Sequence, residues 1–279
     1  MLQKSIMMLK NNPMIFIMMA AFMLIMAALS LPMISETNKM MGIYTEMYDF
    51  SGDYPQINMQ DTMVIMLSSL KILLYSLVLV FFGLGFMSGY GNMVDAVMNE
   101  GKARLKIFFY GIRKFFGKVL LSALLLAGII TGFSVVISLI TTPLIIAGTL
   151  SGSFSAGNIF ESQKVIQIIT IVILTLLYPL LFMWLPAIFT DRKDRVITCF
   201  KNGFRASRRM YLKLLPASVL LILPTILMYL LSENIYEILK TPYYFLIYPI
   251  QAIVLPVVIT YLFVIYQAVR PETKSASHE

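Results

Sequence analysis

The chain offers few side chains that could perform acid–base or nucleophilic chemistry. It has one histidine, His278, in a polar tail next to the carboxyl end, and one cysteine, Cys199. A zinc site needs several clustered His, Cys or carboxylate ligands, and an activated nucleophile needs a base within hydrogen-bond reach. No phosphate-binding glycine motif is present, because Gly83-Leu84-Gly85 stands alone inside an apolar run. The sequence predicts no catalytic centre, no metal site and no cofactor, and therefore a protein that is not an enzyme.

Lys71 is the one ionisable residue inside a predicted membrane span. An unpaired charge at the centre of a bilayer costs at least about 2.5 kcal/mol. Lys71 lies about two helical turns from the outer end of its apolar run, so its stem can extend toward water and toward an acid of the neighbouring loop. The alternative is a buried cation with a function inside the membrane.

Long apolar runs dominate the rest of the sequence. Hydrophobic residues make up 59% of the chain and charged residues 13%, against roughly a quarter charged in soluble proteins. The runs have the length of membrane helices and exceed the length of barrel strands, about 10 residues. The first run is also too long for a signal-peptide core. We therefore predict an all-α, polytopic membrane protein with six transmembrane helices: Met14 to Met33, Val64 to Ser88, Val119 to Ile140 or a little beyond, Val165 to Phe189, Leu214 to Leu231, and Tyr243 to Gln267.

The basic residues set the orientation of these spans. The loop from Gly89 to Lys118 carries six Lys or Arg residues and the loop from Thr190 to Lys213 carries eight. The loop from Ile34 to Met63 carries one basic residue and five acids. Because basic loops stay in the cytoplasm, both termini are predicted to be cytoplasmic, in a multi-pass protein of the cell membrane. Residues 1–270 then form a single transmembrane domain, and residues 271–279 form a polar cytoplasmic tail.

The two basic loops also show amphipathic patterns. From Asn92 to Lys118, apolar residues recur at spacings of three and four between basic residues, and Arg195 to Lys213 shows a less regular version. We predict two interfacial helices on the cytoplasmic face, with basic side chains toward anionic headgroups. The alternative is that these charges only set the topology. The net charge of +8 thus indicates membrane lipids and not nucleic acid. The side chains expected to contact lipid or a protein partner are Arg113, Lys114, Arg205, Arg208 and Arg209.

Small residues and prolines in the spans bear on packing. Gly-x-x-x-Gly at Gly85 and at Gly128 allows close helix approach, either within one chain or in a homodimer. Gly-x-Arg recurs before spans three and five, at Gly111 and Gly203, and either chance or an internal repeat would explain it. Prolines within or at the ends of spans four to six kink those helices and could shape a cavity for a solute: Pro179, Pro186, Pro224, Pro249 and Pro256.

Three short segments carry a resemblance to a known group of proteins. They are Lys10-Asn11-Asn12-Pro13 before span one, Gly91 to Lys102 after span two, and Phe109 to Phe116 before span three. In these segments the chain resembles poorly characterised prokaryotic six-span membrane proteins, including the membrane domain of some glycerophosphoryl diester phosphodiesterases. The resemblance implies the six-span fold and no reaction, because the soluble catalytic domain of those phosphodiesterases is absent from this sequence.

Two functions fit these patterns. The first is a non-enzymatic scaffold, accessory subunit, or stress or immunity factor that acts through its basic cytoplasmic face. The alternative is a transporter or export permease for a hydrophobic or amphipathic solute, with the kinked spans four to six along its path. No predicted span contains Asp or Glu, which argues against ion coupling through carboxylates in the membrane.

Overall fold

The structure, a computed structural model, describes residues 1–49, 59–150, 172–173, 175–222 and 244–275. Of these residues, 93% are helical and none lies in a strand. The all-α prediction is therefore confirmed for the described part of the chain. Helices are the expected form for apolar runs because they pair every backbone N–H and C=O within their own segment.

The described helices, in chain order, are α1 (Leu2–Asn11), α2 (Met14–Asp49), α3 (Met59–Glu100), α4 (Leu105–Leu150), α5 (Thr175–Thr190, with a turn at Met183), α6 (Val196–Arg209), α7 (Tyr211–Ile222) and α8 (Tyr244–Ser275). The central helix α3 packs against α2 and α4, and α8 packs against both α1 and α2. The last two turns of α5 pack against α6, which in turn contacts α8.

Among the described residues, four helical segments are long and apolar enough to cross a membrane: Met14–Ile43, Met59–Glu100, Leu105–Phe133 and Ile247–Arg270. They contain or largely overlap predicted spans one, two, three and six. Predicted spans four and five overlap the shorter apolar helices α5 and α7, and most of the remainder of both spans lies outside the described residues. The long apolar helices are consistent with a membrane protein.

The central helix α3 is divided into two halves with opposite environments. Between Met63 and Phe81 its large apolar side chains are mostly exposed, whereas every residue from Ser88 to Val97 is buried. Exposed apolar side chains along several helical turns would be unfavourable in water and suit a lipid environment. The tightly packed core of the described bundle therefore lies at the carboxyl end of α3.

The predicted interfacial helix from Asn92 to Lys118 is wrong as a single element. Asn92 to Glu100 continue α3, a turn follows at residues 101–104, and Leu105 begins α4. Gly101 makes the turn possible because its φ of 76° lies in the left-handed region, which glycine adopts without a steric penalty. The apolar residues Val94 and Val97 face the protein core. Their helical spacing was correct, but protein and not lipid covers them.

Three further boundaries differ from the sequence prediction. α2 continues to Asp49 and α3 begins at Met59, so most of the predicted loop from Ile34 to Met63 is helical. The polar residues of this segment suggested a loop, but polar residues outside a membrane span are also compatible with a helix. α8 continues to Ser275, into the predicted polar tail. The amino end forms a helix, α1, that was not predicted because it is too short and too mixed in composition to stand out.

Candidate functional site

The candidate site is the basic end of the bundle, defined as residues 89–118, residues 190–213 and the end of α8 near Arg270. The side chain of Lys118 joins the first two segments. Its Nζ donates hydrogen bonds to the backbone carbonyls of Arg192, at 2.8 Å, and Asp194, at 2.9 Å. The two basic loops, more than seventy residues apart in sequence, therefore form one surface.

An ion pair between Asp95 and Arg192 connects α3 to the turn after α5. Arg192 Nη2 donates to Asp95 Oδ2 at 2.6 Å, and its Nε donates to the Phe189 carbonyl at 3.2 Å. The Asp95 side chain is 2% exposed, whereas the Arg192 side chain is 42% exposed. A buried carboxylate is tolerated only with a partner of this kind, so Arg192 balances a charge that belongs to the core.

A second buried carboxylate, Asp191, is held mainly by α8. Tyr266 Oη donates to Asp191 Oδ2 at 2.5 Å, and Arg270 Nε donates to Oδ1 at 3.1 Å. Arg270 Nη2 also donates to the Thr190 carbonyl at 3.1 Å, and Asn202 on α6 lies 3.4 Å from Oδ2. Adjacent residues, Asp191 and Arg192, thus attach the turn after α5 to α8 on one side and to α3 on the other.

Glycines permit the close packing around these ion pairs. A Cβ atom added to Gly91 would overlap the Phe189 ring. At Gly203 it would lie 2.8 Å from the carbonyl oxygen of Met183 and from the amide nitrogen of Trp184. Beside this contact, Trp184 stacks on Phe200 with ring centroids 5.8 Å apart. Gly203 belongs to the Gly-x-Arg pattern noted in the sequence, and the structure gives it a packing role.

The ion pairs leave the surface of the basic end strongly cationic. Residues 89–118 and 190–213 contain four acids: Asp95 and Asp191 are buried, Asp194 is half-buried, and Glu100 alone is exposed. Of the fourteen Lys and Arg residues in the same segments, twelve are exposed and two are half-buried. Folding therefore turns most of the acidic charge inward and directs the basic charge outward. The resulting surface attracts anions.

The structure places all five predicted contact residues at this end. Arg113, Lys114, Arg208 and Arg209 are exposed, and Arg205 is half-buried. Lys114 Nζ donates to the Tyr110 hydroxyl at 3.0 Å and lies 5.2 Å from the centroid of its ring. Arg113 and Lys114 lie on α4. The other three residues, Arg205, Arg208 and Arg209, lie along the carboxyl half of α6.

Lys71 lies at the opposite end of the described bundle. Its Nζ is 3.4 Å from Glu36 Oε1, and Lys39 Nζ is 2.9 Å from the same oxygen. The Ser68 hydroxyl donates to Glu36 Oε2 at 2.9 Å. Glu36 lies within the predicted first loop, from Ile34 to Met63. In the structure it belongs instead to the part of α2 that continues beyond the predicted span. Half of the Lys71 side chain is exposed, so the contact with Glu36 is not sealed inside the described bundle.

Cys199 is fully buried on the inner face of α6. Burial raises the pKa of its thiol to about 11, and the nearby carboxylates of Asp191 and Asp194 contribute in the same direction, whereas Lys118 opposes them. A thiol with so high a pKa is protonated at neutral pH and is a poor nucleophile. Its weak contact to the Asp191 carbonyl, at 3.8 Å, suits a packing residue.

Four residues that organise the basic end were not predicted from the sequence: Asp95, Asp191, Tyr266 and Arg270. One signal was present, since Asp95 stands in the middle of a run of small and apolar residues, where an acid is costly without a partner. The role of Asn12 was not predicted either. The Asn12 Oδ1 accepts the Ala103 backbone N–H at 3.0 Å and ties the corner between α1 and α2 to the turn between α3 and α4.

Comparison with protein families, with curated proteins and with solved structures finds no match for this chain. Within the described residues, no three His, Cys, Asp or Glu side chains come together as a metal site would require. The charged side chains that the basic end exposes are mainly Lys and Arg.

Proposed function

We propose that this chain is a non-enzymatic, six-span membrane protein that acts as a scaffold or accessory factor through its basic end. The observation that carries the proposal is the sorting of charge: Asp95 and Asp191 are paired inside the protein, whereas the surrounding cations are exposed. A surface of this kind binds anionic lipid headgroups or an acidic face of a protein.

In this proposal the basic end lies in the cytoplasm with both termini, as basic loops do. The two predicted spans that lie partly outside the described residues complete the six crossings, and α6 serves as the cytoplasmic interfacial helix. A relationship to prokaryotic six-span membrane proteins is also part of this proposal. Topology can be tested by single-cysteine labelling of intact cells in a Cys199→Ala background. Lys102→Cys should be shielded from a membrane-impermeant maleimide, and labelling without lysis would contradict the orientation.

The function is tested by capture from native membranes after mild detergent extraction. The wild type is compared with R205Q/R208Q/R209Q, and the matched control R205K/R208K/R209K retains the charge. The proposal expects associated proteins or anionic lipids that are lost in the Gln variant and retained in the Lys variant. Equal capture by all three forms would contradict a role for this charged face.

One observation favours a second function, transport of a hydrophobic or amphipathic solute. An apolar cavity of about 350 Å³ lies between α2 and α8, where Met23 and Leu24 face Tyr248 and Pro249. Its volume and apolar lining suit part of a small hydrophobic molecule. The test is solute flux in reconstituted vesicles, with Ala252→Phe narrowing the cavity. Flux that falls in this variant would support transport over the scaffold function.

A further inference from the structure

The helix α6 has two faces with different compositions. The buried face packs on the protein through small or polar residues, including Cys199, Gly203 and Ala206. On the opposite side, Ile197, Lys201, Phe204 and Arg208 follow one another at spacings of four, three and four residues, which places them in one stripe along the helix. We call these four residues the α6 stripe.

The α6 stripe combines exposed apolar and basic side chains. Ile197 is 73% exposed and Phe204 is 52% exposed, although both are large apolar residues on a helix that already has a buried face. Lys201 and Arg208 are exposed beside them. The helix contains four basic residues and no acid. A partner for this stripe must therefore accept apolar groups and neutralise positive charge at the same time.

The carboxyl end of α6 lies beside two apolar helices, α7 and α8. Only Met210 separates the end of α6 from the apolar helix α7. The Tyr261 hydroxyl, within the membrane-length segment Ile247–Arg270 of α8, donates to the Lys213 carbonyl at 2.8 Å. Leu212, two residues beyond the turn, is 80% exposed, as a lipid-facing side chain would be. The carboxyl end of α6 thus lies next to a membrane helix.

We infer that the α6 stripe docks on an anionic lipid surface, with Ile197 and Phe204 inserted at the acyl boundary and Lys201 and Arg208 on lipid phosphates. This inference rests on the proposed function and names the partner of its basic end. Interfacial helices combine these two kinds of side chain in the same way. A second copy of the chain is a poor occupant, because two acid-free cationic helices repel each other. A soluble protein with a purely acidic surface would satisfy the charges but would leave Ile197 and Phe204 without apolar contacts.

The test uses the full chain reconstituted in vesicles of phosphatidylcholine with phosphatidylglycerol. Trp184 is the only tryptophan, so W184F/F204W places a single tryptophan in the stripe. Lipids with brominated acyl chains quench tryptophans that reach the acyl boundary. The matched control is W184F/K193W, which places the fluorophore at an exposed loop position of the same basic end. We expect quenching at position 204, stronger with brominated phosphatidylglycerol than with brominated phosphatidylcholine, and little quenching at position 193.

Neutralising the two cations tests the anionic preference. In W184F/F204W with K201Q/R208Q, the relative association of phosphatidylglycerol with the stripe should fall by up to about fivefold for each charge removed. Absence of quenching at position 204 would overturn the inference. Equal quenching by the two brominated lipids, if it is also unchanged in K201Q/R208Q, would overturn it as well. If capture from native membranes depends on the charges of the stripe but is unchanged in I197S/F204S, the stripe binds a protein partner. That result would overturn lipid docking but not the proposed function.

A spin label guards against a tryptophan variant that folds poorly. In a Cys199→Ala background, a nitroxide at Ile197→Cys should be more accessible to oxygen than to a water-soluble nickel complex. The reverse order would place Ile197 in water and contradict the inference. These results are independent of the capture experiment with the arginine variants. Failure of lipid docking and failure of the proposed function can therefore be told apart.

Discussion

The guanidinium of Arg192 lies 2.6 Å from the carboxylate of Asp95, ninety-seven residues earlier in the chain. The two partners differ in environment, because the carboxylate is buried and the guanidinium is partly in contact with solvent. The same turn carries Asp191, whose carboxylate receives the Tyr266 hydroxyl and the Arg270 guanidinium. Three helices, α3, α5 and α8, are therefore joined through two consecutive residues.

The asymmetry of the Asp95–Arg192 pair predicts unequal effects of the two neutralising substitutions. Arg192→Gln leaves a buried carboxylate without its cation and should lower the free energy of unfolding by about 3 kcal/mol. Asp95→Asn leaves a partly solvated guanidinium and should cost less. The double variant D95N/R192Q should be more stable than R192Q alone. The measurement is denaturant unfolding in detergent, with Lys193→Gln as an exposed control.

Equal losses for R192Q and D95N, or a double variant less stable than either, would contradict the assignment of Asp95 as the buried partner. The control K193Q should change stability by no more than about 0.5 kcal/mol.

Gly203 should not tolerate a methyl group. Its Cβ would lie 2.8 Å from two backbone atoms, which cannot move away as a flexible side chain could. We expect Gly203→Ala to lower the free energy of unfolding by about 1–3 kcal/mol. Gly117→Ala is the matched control, since nothing lies within 4 Å of the added atom and alanine is the better helix former. A neutral G203A, measured by thermal unfolding, would show that α5 and α6 are not packed as described.

Cys199 should react slowly with thiol reagents in the folded protein. Burial raises the pKa of the thiol to about 11, so the reactive thiolate is scarce at neutral pH. The folded-state pKa exceeds the ordinary value of 9.0, so the thiol favours folding at neutral pH and this contribution is lost as pH rises from about 9 to about 11. Alkylation rates across pH, compared with the unfolded chain, test this. Rapid labelling at pH 7 would contradict burial of the thiol.

The contact between Lys71 and Glu36 should contribute little to stability. About half of the Lys71 side chain is exposed, and Glu36 has a second, closer cation in Lys39. A double-mutant cycle with Glu36→Gln and Lys71→Met should give a coupling free energy below about 1 kcal/mol. A coupling of several kcal/mol would instead support the alternative of a sealed, functional cation.

The sequence by itself determined that the described chain is helical and that its long helices suit a membrane. Runs of apolar residues longer than a barrel strand leave the helix as the form that pairs the backbone within each segment. The concentration of basic residues in two loops was also visible. These properties depend on composition over short windows, which is why no tertiary contact was needed to predict them.

Only the tertiary structure decided which groups cover which faces. The apolar spacing through Val94 and Val97 fitted a lipid-facing helix as well as a protein-facing one, and the structure buries both residues. Cys199 and Phe204 both lie in the predicted amphipathic segment from Arg195 to Lys213, yet one is buried and the other exposed. The ion-pair partners of Asp95 and Asp191, which are Arg192 and Arg270, lie 97 and 79 residues away in sequence. Periodicity fixes which residues share a helical face, but contacts between distant segments decide what that face meets.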